Sequence, residues 1–475
     1  MLKHIIYIVF CLTSTVLLSQ EVSISPELSL RNYFAYDILG DVDGRSVVVR
    51  DRGFAKEVDV FNRELELIKS EELLFEKKRV DVFNITELDT VFQVLYGYFE
   101  QDSMILRYRI YDNSVRLVDS MEFARIHKKD VRKKILCSQS LNDRYIMLMT
   151  EDEDQNLVLL IYDSVKRRMD WSSKIEVADN YDRRLDEVLV TDKGSFAMLF
   201  REKAWTSDKE ELLMLLVDPR AGLQKFVKLG LGDHTGSDVL IDFDNKNNLF
   251  LIVGIYSEKK SKEAKGYFFL SERFESISST SNIRYISFEA NLYEELIQGR
   301  KKKSRVLEDI ALKDVLFRQD GGFLLISEIE REYSRRNPYS GYARTGYDNY
   351  SRRSWIDYYN DDIIVSSISP EGVPDWNKVL YKKQFSQDDE AIYSSFYIMK
   401  TPSRLRFIYN DEIKKNNTVS EYLMDPAGKL ARNSLLSTAY QNMKLRFKDA
   451  IQISSNSMIV PSESNYDLNL VRITY

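Results

Sequence analysis

The sequence is poor in the residues that most catalytic and metal sites use. Its 475 residues include only two cysteines and three histidines, and no pair of histidines has the spacing of a zinc motif such as H-E-x-x-H. No G-x-S-x-G elbow and no glycine-rich phosphate loop is present. Acidic segments such as Asp41–Gly44 and Asp242–Asn245 lack the spacing and the final Glu of an EF-hand, so we interpret them as hairpin turns. The sequence therefore predicts no catalytic residue, no metal ligand and no cofactor.

The low cysteine content also excludes an intramolecular disulfide in the exported chain predicted below. Cys11 lies in the N-terminal apolar run, which is predicted to be removed, so that Cys137 remains alone. Cys137 lies in the strand-like segment Lys134–Ser138, which favours a buried and inert thiol. A chain of this length can fold in an oxidising compartment without disulfides, because its core is large enough.

A basic excess and long apolar runs are missing too. The net charge of −6 is spread along the chain, which argues against a nucleic-acid partner. The one apolar run, Ile5–Leu18, follows Lys3 and is shorter than the roughly 20 residues of a membrane-spanning helix. This pattern predicts a signal peptide over residues 1–20, export to the periplasm or the cell surface and medium, and no membrane span in the mature chain. An N-terminal anchor is the alternative.

Aromatic residues are abundant, and they accompany a repeat. The 29 Tyr and 24 Phe favour strands. Turn segments of similar composition recur at intervals of about 50 residues, and each precedes an apolar strand. These first turns are Asp41–Gly44, Glu87–Asp89, Leu141–Asp143, Thr191–Gly194, Asp244–Asn247, Gln319–Gly322, Thr401–Ser403 and Ser454–Asn456. A second set of turns is clearest at Asp218–Gly222, Ser369–Gly372 and Asp425–Gly428, where Pro presets φ and Gly accepts a positive φ.

Two hairpins per repeat predict an all-β protein, a β-propeller of about eight four-stranded blades within a single domain over residues 21–475. The last repeat lacks a fourth strand, and the segment Ile24–Arg31 is available to fill that place and close the ring. Seven blades are the alternative if the weak second repeat is misread. A tandem array of β-sandwiches is another alternative, although no Pro/Gly/Ser linker divides the chain.

Two insertions interrupt the repeat. Within residues 287–305, apolar residues recur at helical spacing and predict a short amphipathic helix: Phe288, Leu292, Leu296 and Ile297. The basic run Arg300–Lys303 that follows is interpreted as a solvated helix end, and a docking patch is the alternative.

The second insertion, Arg331–Arg353, is rich in Tyr and Arg and lies between the second and third strands of the sixth repeat. Tyr and Arg are enriched at interaction hot spots, so the insertion is the leading candidate for a partner-contact surface. The alternative is a long hairpin extension that packs on its neighbour. The candidate contact residues are Tyr339, Tyr342, Arg344, Tyr347, Tyr350 and Arg352.

The stretch Trp355–Asp411 adds a resemblance. It contains Tyr358–Val365, Ser369–Gly372 with Trp376, Tyr393–Phe396 and Phe407–Asp411. This stretch resembles a group of uncharacterised exported β-propeller proteins of Gram-negative bacteria. The resemblance implies a propeller and export, and it carries no known catalytic residues.

Two functions follow as hypotheses. The first is a non-enzymatic binding or scaffold propeller that holds a protein partner through the Tyr/Arg insertion. The alternative is a carbohydrate-active enzyme or glycan-binding module that uses the central cavity, for which a pocket of paired carboxylates and aromatic residues would be the sign.

Overall fold

A ring of eight antiparallel β-sheets forms the molecule in the computed structural model, which describes residues 21–177, 181–204, 210–259, 261–297, 306–336, 354–411, 413, 418–437 and 443–475. Each sheet is one blade with four main strands, which are consecutive in the chain in seven blades, whereas blade 8 takes its fourth strand from the N-terminal segment; the first of the consecutive strands of each blade lies innermost. The protein is therefore an eight-bladed β-propeller, as the repeat predicted. Among the described residues, no helix has the length and apolar character needed to cross a membrane.

The first four blades use strands β3 to β18, preceded by β1 (Glu21–Ile24) and β2 (Leu28–Ser29). Blade 1 contains β3 (Ala35–Val42), β4 (Arg45–Asp51), β5 (Lys56–Phe61) and β6 (Leu67–Leu73). Blade 2 contains β7 (Asp81–Leu88), β8 (Val91–Glu100), β9 (Ser103–Asp112) and β10 (Leu117–His127). Blade 3 contains β11 (Leu136–Gln139), β12 (Tyr145–Glu151), β13 (Leu157–Asp163) and β14 (Arg168–Ile175). Blade 4 contains β15 (Tyr181–Val190), β16 (Phe196–Ala204), β17 (Glu210–Asp218) and β18 (Leu223–Leu229).

The other four blades use the remaining strands, together with one α-helix, α1 (Ala290–Ile297). Blade 5 contains β19 (His234–Asp244), β20 (Leu249–Glu258), β21 (Ala264–Glu272) and β22 (Arg284–Ser287). Blade 6 contains β23 (Ile310–Phe317), β24 (Phe323–Arg336), β25 (Ser354–Ile368) and β26 (Pro374–Leu380), with β27 (Gln384–Gln387) added. Blade 7 contains β28 (Tyr397–Lys400), β29 (Leu405–Asn410), β30 (Thr418–Met424) and β31 (Leu430–Ser437). Blade 8 contains β32 (Ile451–Ser454), β33 (Ser457–Ser464) and β34 (Asp467–Thr474). Short 3-10 turns cover Lys128–Asp130, Phe274–Ser276, Val306–Glu308 and Phe447–Asp449.

The core lies between the blades. A single four-stranded sheet cannot cover both of its faces, so apolar side chains of neighbouring blades pack against each other. Val47 and Val58 of blade 1, for example, share one buried cluster with Val94 and Tyr96 of blade 2. Large aromatic residues fill the same layer, because they bury much apolar area.

The antiparallel order gives the ring two distinct faces. The turns between the first and second strands and between the third and fourth strands open on one face, called the turn face here. The turns between the second and third strands and the linkers between blades open on the opposite face, called the linker face. Every first turn that the repeat identified therefore belongs to the turn face.

Hydrogen bonds connect neighbouring blades along the turn face. The backbone N–H of Asn142 in blade 3 donates to Asp192 in blade 4 at 3.0 Å, and the N–H of Asp192 donates to Asn245 in blade 5 at 3.1 Å. Lys400 of blade 7 and Gln452 of blade 8 exchange two hydrogen bonds, at 2.9 and 2.7 Å. The Asp and Asn residues that shape these turns thus also connect the ring.

The ring closes in blade 8, where the N-terminal segment supplies the fourth strand. β1 pairs along β34 from Glu21↔Thr474 to Ile24↔Val471, and β2 pairs Leu28 with Leu468. The closing segment is confirmed, but its predicted bounds are wrong, because pairing already begins at Glu21 and is interrupted between β1 and β2. Pro26 lies in this interruption and has no N–H to donate to the ladder.

The predicted helical insertion contains helix α1, which begins at Ala290, so Phe288 precedes the helix. Helix α1 buries Leu292 and Leu296 in the cluster shared by blades 5 and 6, as its spacing predicted. Residues 298–305, which include the basic run, lie outside the described residues.

Candidate functional site

Exposed aromatic side chains lie on the linker face of blades 8 and 1. Phe34 lies in the linker that enters blade 1, Phe54 in the β4–β5 turn and Tyr466 in the β33–β34 turn, and 81%, 66% and 69% of their surfaces are exposed. Gly53 adopts a positive φ of 84°, and a Cβ there would lie 3.3 Å from the Phe34 ring. A glycine at this position thus lets the turn bend sharply beneath the ring. Exposed aromatic groups in one patch are typical of a binding surface.

A cavity of about 580 Å³, called the closure pocket here, lies beside these rings at the seam between blades 8 and 1. Phe34 and Tyr466 line its mouth together with Tyr33 and Tyr36. Its charged residues are Asp37, Arg446, Asp449 and Glu463. The volume falls in the range of pockets that hold small ligands or single side chains.

A three-stranded arm extends from blade 6 on the same face. β24 and β25 continue pairing beyond the blade to Arg336↔Ser354, and β27 adds to β25 from Asn360↔Gln384 to Asp357↔Gln387. The arm contains an aromatic ladder that crosses its three strands. The ring centroids of Tyr333 and Tyr359 are 5.8 Å apart, and those of Tyr359 and Phe385 are 4.9 Å apart.

The arm contains the first residues of the predicted Tyr/Arg insertion. Residues Arg331–Arg336 continue strand β24, so this part of the insertion is a regular paired strand. Arg331 forms an ion pair with Asp361 on β25 and places its guanidinium 5.3 Å from the Tyr359 ring centre. The six candidate contact residues, Tyr339, Tyr342, Arg344, Tyr347, Tyr350 and Arg352, lie outside the described residues, and their role remains a prediction.

A buried ion pair fixes the root of the arm. Glu328 of β24 pairs with Lys382, and both side chains are fully buried. Lys382 Nζ also donates to the Asn360 carbonyl oxygen at 2.9 Å, and Ser395 Oγ donates to Glu328 Oε2 at 2.8 Å. Burial opposes ionisation of Glu328, yet the charge of Lys382 outweighs it and lowers the pKa of this carboxyl. The pair thus joins blade 6 to the segment that leads into blade 7.

A second cavity, called the channel pocket here, opens along the innermost strands of blades 6 to 8. Its volume is about 570 Å³. Lys313, Asp314 and Lys400 line it with the rings of Phe396 and Tyr397. The lining is therefore mixed, with aromatic residues, cations and one carboxylate.

Carboxylates of the inner strands of blades 4 to 6 interact electrostatically around the channel. Burial raises the pKa of Asp242 to about 6, and the charge of Asp314 adds to this effect. Burial also raises the pKa of Asp314, although Lys400 opposes it. The pKa of Glu187 is raised by burial and by the charges of Asp186 and Asp242. Asp242 can therefore hold a proton up to about pH 6, well above the range of an ordinary Asp carboxyl.

Among the described residues, Cys137, His127 and His234 take part in local structure. Cys137 lies on β11, half-buried, and burial raises the pKa of its thiol to about 12, which fits the predicted inert thiol. His127 Nδ1 accepts a hydrogen bond from the Lys129 N–H, and His234 packs against Tyr256 with ring centroids 4.9 Å apart. Within the described ranges, no group of three His, Cys, Asp or Glu side chains is arranged to hold a metal ion.

Sequence reasoning missed the closure pocket, because its residues come from both ends of the chain. The local signal was the aromatic segment Tyr33–Tyr36, which follows the closing strand. No sequence pattern connects that segment to Arg446 or to Glu463. Asp242 was noted only as part of a hairpin turn, and its neighbour Asp314 lies in a different repeat.

Comparisons with known proteins add no assignment of function. No protein-family model matches this sequence, and no curated protein matches it. Similar solved structures include the polysaccharide lyase Uly1, with TM-score 0.40 and 8% identity over 82% of this chain and 89% of that chain. Another is dipeptidyl peptidase 4 of Porphyromonas gingivalis, with TM-score 0.44 and 11% identity, where the match covers 92% of this chain and 57% of that chain.

A third is the β-propeller domain of the Trilobed protease from Pyrococcus furiosus, with TM-score 0.36 and 8% identity over 84% of this chain and 98% of that domain. The propeller assignment rests on the strand pairing described above and not on these similarities.

Proposed function

We propose that this chain is an exported, non-enzymatic binding propeller that holds a protein partner on its linker face. The observation that carries the proposal is the pair of exposed aromatic rings, those of Phe34 and Tyr466, that line the closure pocket on the linker face. Contiguous exposed aromatic groups are costly in water and mark interaction surfaces. Export is supported by Lys3 and the apolar run Ile5–Leu18.

The arm supports the same proposal. It extends from the linker face, and three paired strands and the Tyr333–Tyr359–Phe385 ladder stiffen it. A preordered surface loses less conformational entropy on binding than a loose one. Residues 337–353, the rest of the Tyr/Arg insertion, follow β24 and precede β25 in the sequence, and the proposal assigns partner contact to the candidate residues among them.

The experiment compares proteins recovered from the native envelope fraction by four purified baits. The first is the intact chain. The second has residues 337–353 replaced by Asn-Gly, a two-residue turn that leaves the β24–β25 pairing intact. The third carries Phe34→Ala and Tyr466→Ala. A matched control carries Leu141→Ala and Val165→Ala, which alter exposed apolar residues on the turn face.

We expect one specific protein to bind the intact chain and the control and to be lost from one or both linker-face variants. Binding assays with the purified partner should give the same difference between the baits. Equal recovery by all four baits, with folding retained, would contradict docking on the linker face.

A second candidate function is favoured by the channel pocket. Asp242 and Asp314 interact electrostatically, and Asp314 lines a pocket that also contains Phe396 and Tyr397. Paired carboxylates and aromatic rings are the groups that glycan-cleaving sites use. The test is release of reducing ends from a panel of polysaccharides by the intact chain and by Asp242→Asn and Asp314→Asn variants. Polysaccharide cleavage by the intact chain that both variants lose would support this function. If the intact chain neither binds nor cleaves any polysaccharide of the panel, this function is rejected.

A further inference from the structure

One edge of the arm has no partner strand among the described residues. Strand β24 pairs with β23 only as far as Ile329, whereas its pairing with β25 continues to Arg336. From residue 331 onward, no described strand pairs with the edge of β24 that points away from β25. Residues 332–334 are exposed along this stretch. We call this edge, residues 331–336 of β24, the open edge.

The last contact before the open edge shows which backbone groups point to it. The N–H of Glu330 donates to the carbonyl oxygen of Asp309 at 2.8 Å, on the β23 side of the strand. Successive residues of an antiparallel strand direct their N–H and C=O groups to alternate edges. The pairing with β25 has no register shift beyond Glu330. The N–H and C=O groups of Glu332, Ser334 and Arg336 therefore point to the open edge.

The open edge lacks the usual protection against another strand. Natural proteins protect exposed strand edges with Pro, Lys, a bulge or a covering segment. Residues 331–336 contain neither Pro nor Lys, and no bulge interrupts their pairing. The ladder of Tyr333, Tyr359 and Phe385 also holds the three strands of the arm together. An ordered and unprotected edge of this kind favours the addition of a further strand.

The residues of the open edge are complementary to themselves. In an antiparallel pair of two copies centred on Ser334, Glu332 of one copy lies opposite Arg336 of the other, and Tyr333 lies opposite Arg335. Cross-strand pairs of opposite charge and pairs of an aromatic residue with a cation are favourable. Centring the pair on Glu332 would instead place two acidic residues opposite each other. The favoured register also joins residues whose N–H and C=O groups point to the open edge, as a hydrogen-bonded antiparallel pair requires.

From these observations we propose that the open edge pairs with the same edge of a second copy of this chain. The two strands run antiparallel about Ser334, and the two arms form one continuous sheet across a two-fold axis. Such a contact uses the same surface on both copies, so it closes at a dimer. The inference goes beyond the proposed function, because it concerns self-association through the arm and not the rings beside the closure pocket.

The experiment measures the mass of the purified chain by sedimentation velocity at micromolar concentrations. We expect a reversible dimer. Ser334→Pro should weaken dimerisation by at least roughly tenfold, because it removes an N–H that points to the open edge and takes no part in the pairing with β25. The matched control is Ser334→Ala, which keeps this N–H and should dimerise as the intact chain does. Urea unfolding confirms that both variants are folded.

Reversal of charge tests the register itself. Glu332→Arg and Arg336→Glu each place like charges opposite each other, so each variant alone should dimerise roughly tenfold more weakly. An equimolar mixture of the two variants restores opposite charges in both cross-strand pairs and should form a mixed dimer. A chain that carries both substitutions should dimerise again for the same reason.

An intact chain that stays monomeric at every concentration would overturn the inference. So would a Ser334→Pro variant that dimerises as strongly as Ser334→Ala, or a dimer that neither charge reversal weakens, because the contact would then lie elsewhere. These measurements use no envelope protein, so their failure leaves the proposed function intact. Equal recovery of proteins by all four baits would reject the proposed function alone.

Discussion

The two faces of the propeller differ in how their polar and aromatic residues are used. On the turn face, short Asp- and Asn-rich turns hydrogen-bond to the next blade, as in the Asn142–Asp192–Asn245 series. On the linker face, Phe34 and Tyr466 leave most of their surfaces exposed around a pocket. The polar groups of the turn face thus form hydrogen bonds between blades, whereas the aromatic rings of the linker face stay exposed and can contact a ligand.

This difference indicates that different residues contribute to folding stability and to binding. Turn-face hydrogen bonds contribute to folding whether or not a ligand is present, while an exposed ring contributes little to folding. Substitutions on the turn face should therefore lower the free energy of unfolding and leave binding unchanged, whereas substitutions of exposed rings on the linker face should do the reverse. The following predictions test this separation, beginning with the largest effect.

The largest effect is expected at the root of the arm, beneath the linker face. Lys382→Met leaves the Glu328 carboxylate buried without its cation, which should lower the free energy of unfolding by about 3–5 kcal/mol. Urea denaturation measures this loss, and Lys383→Met next to it, with an exposed side chain, is the control. A loss under about 1 kcal/mol would mean that the pair does not hold the arm.

An intermediate effect is expected in the channel between the faces. The folded-state pKa of Asp242, about 6, is raised above its ordinary value of 3.8, so the proton stabilises the folded state. This contribution is present in full below the ordinary pKa and is lost as the pH rises through about 6. We expect it to reach about 3 kcal/mol. Asp242→Asn should flatten the profile of unfolding free energy against pH between these values, and Asp154→Asn should leave it unchanged.

A smaller effect is expected on the turn face. Asp192→Ala removes the acceptor of the Asn142 N–H, and Asn245→Ala removes the acceptor of the Asp192 N–H. Each should lower the free energy of unfolding by about 1 kcal/mol. Lys246→Ala in the same turn is the control. Neither substitution should change binding on the linker face. A large loss of binding would contradict the view that turn-face residues contribute to stability alone.

The smallest effect on stability is expected at Phe34. Because 81% of its surface is exposed, Phe34→Ala should change the free energy of unfolding by less than about 0.5 kcal/mol. It should nevertheless weaken partner binding. Leu141→Ala, at an equally exposed site on the turn face, should change neither quantity. A Phe34→Ala variant that unfolds easily would show that this ring is structural.

Local patterns explain why the fold was predictable. The Asp- and Gly-containing turns at Asp41–Gly44, Thr191–Gly194 and Asp425–Gly428 depend on backbone angles that few residues accept, so each can be read within a few residues. Helix α1 was predictable for the same reason, since Leu292 and Leu296 alone reveal its buried side. The closing strand was placed in the right blade, but its register depends on partners some 450 residues away, and the bounds were therefore inexact.

The candidate site was less accessible to such reasoning. The closure pocket joins Tyr36 and Asp37, which follow the first strands, to Arg446 and Glu463 near the C-terminus. The raised pKa of Asp242 depends on burial and on Asp314 in another blade. Neither property is encoded within one repeat, and both arise only where repeats meet.

The sequence by itself determined the all-β architecture, the eight repeats and the composition of their turns, because hydrophobic alternation and turn chemistry act over a few residues. Only the tertiary structure decided which residues share the closure pocket, which carboxylates interact in the channel and which face holds the exposed rings. These depend on how the ring closes, since closure brings the first and last strands together and sets each blade against its neighbour.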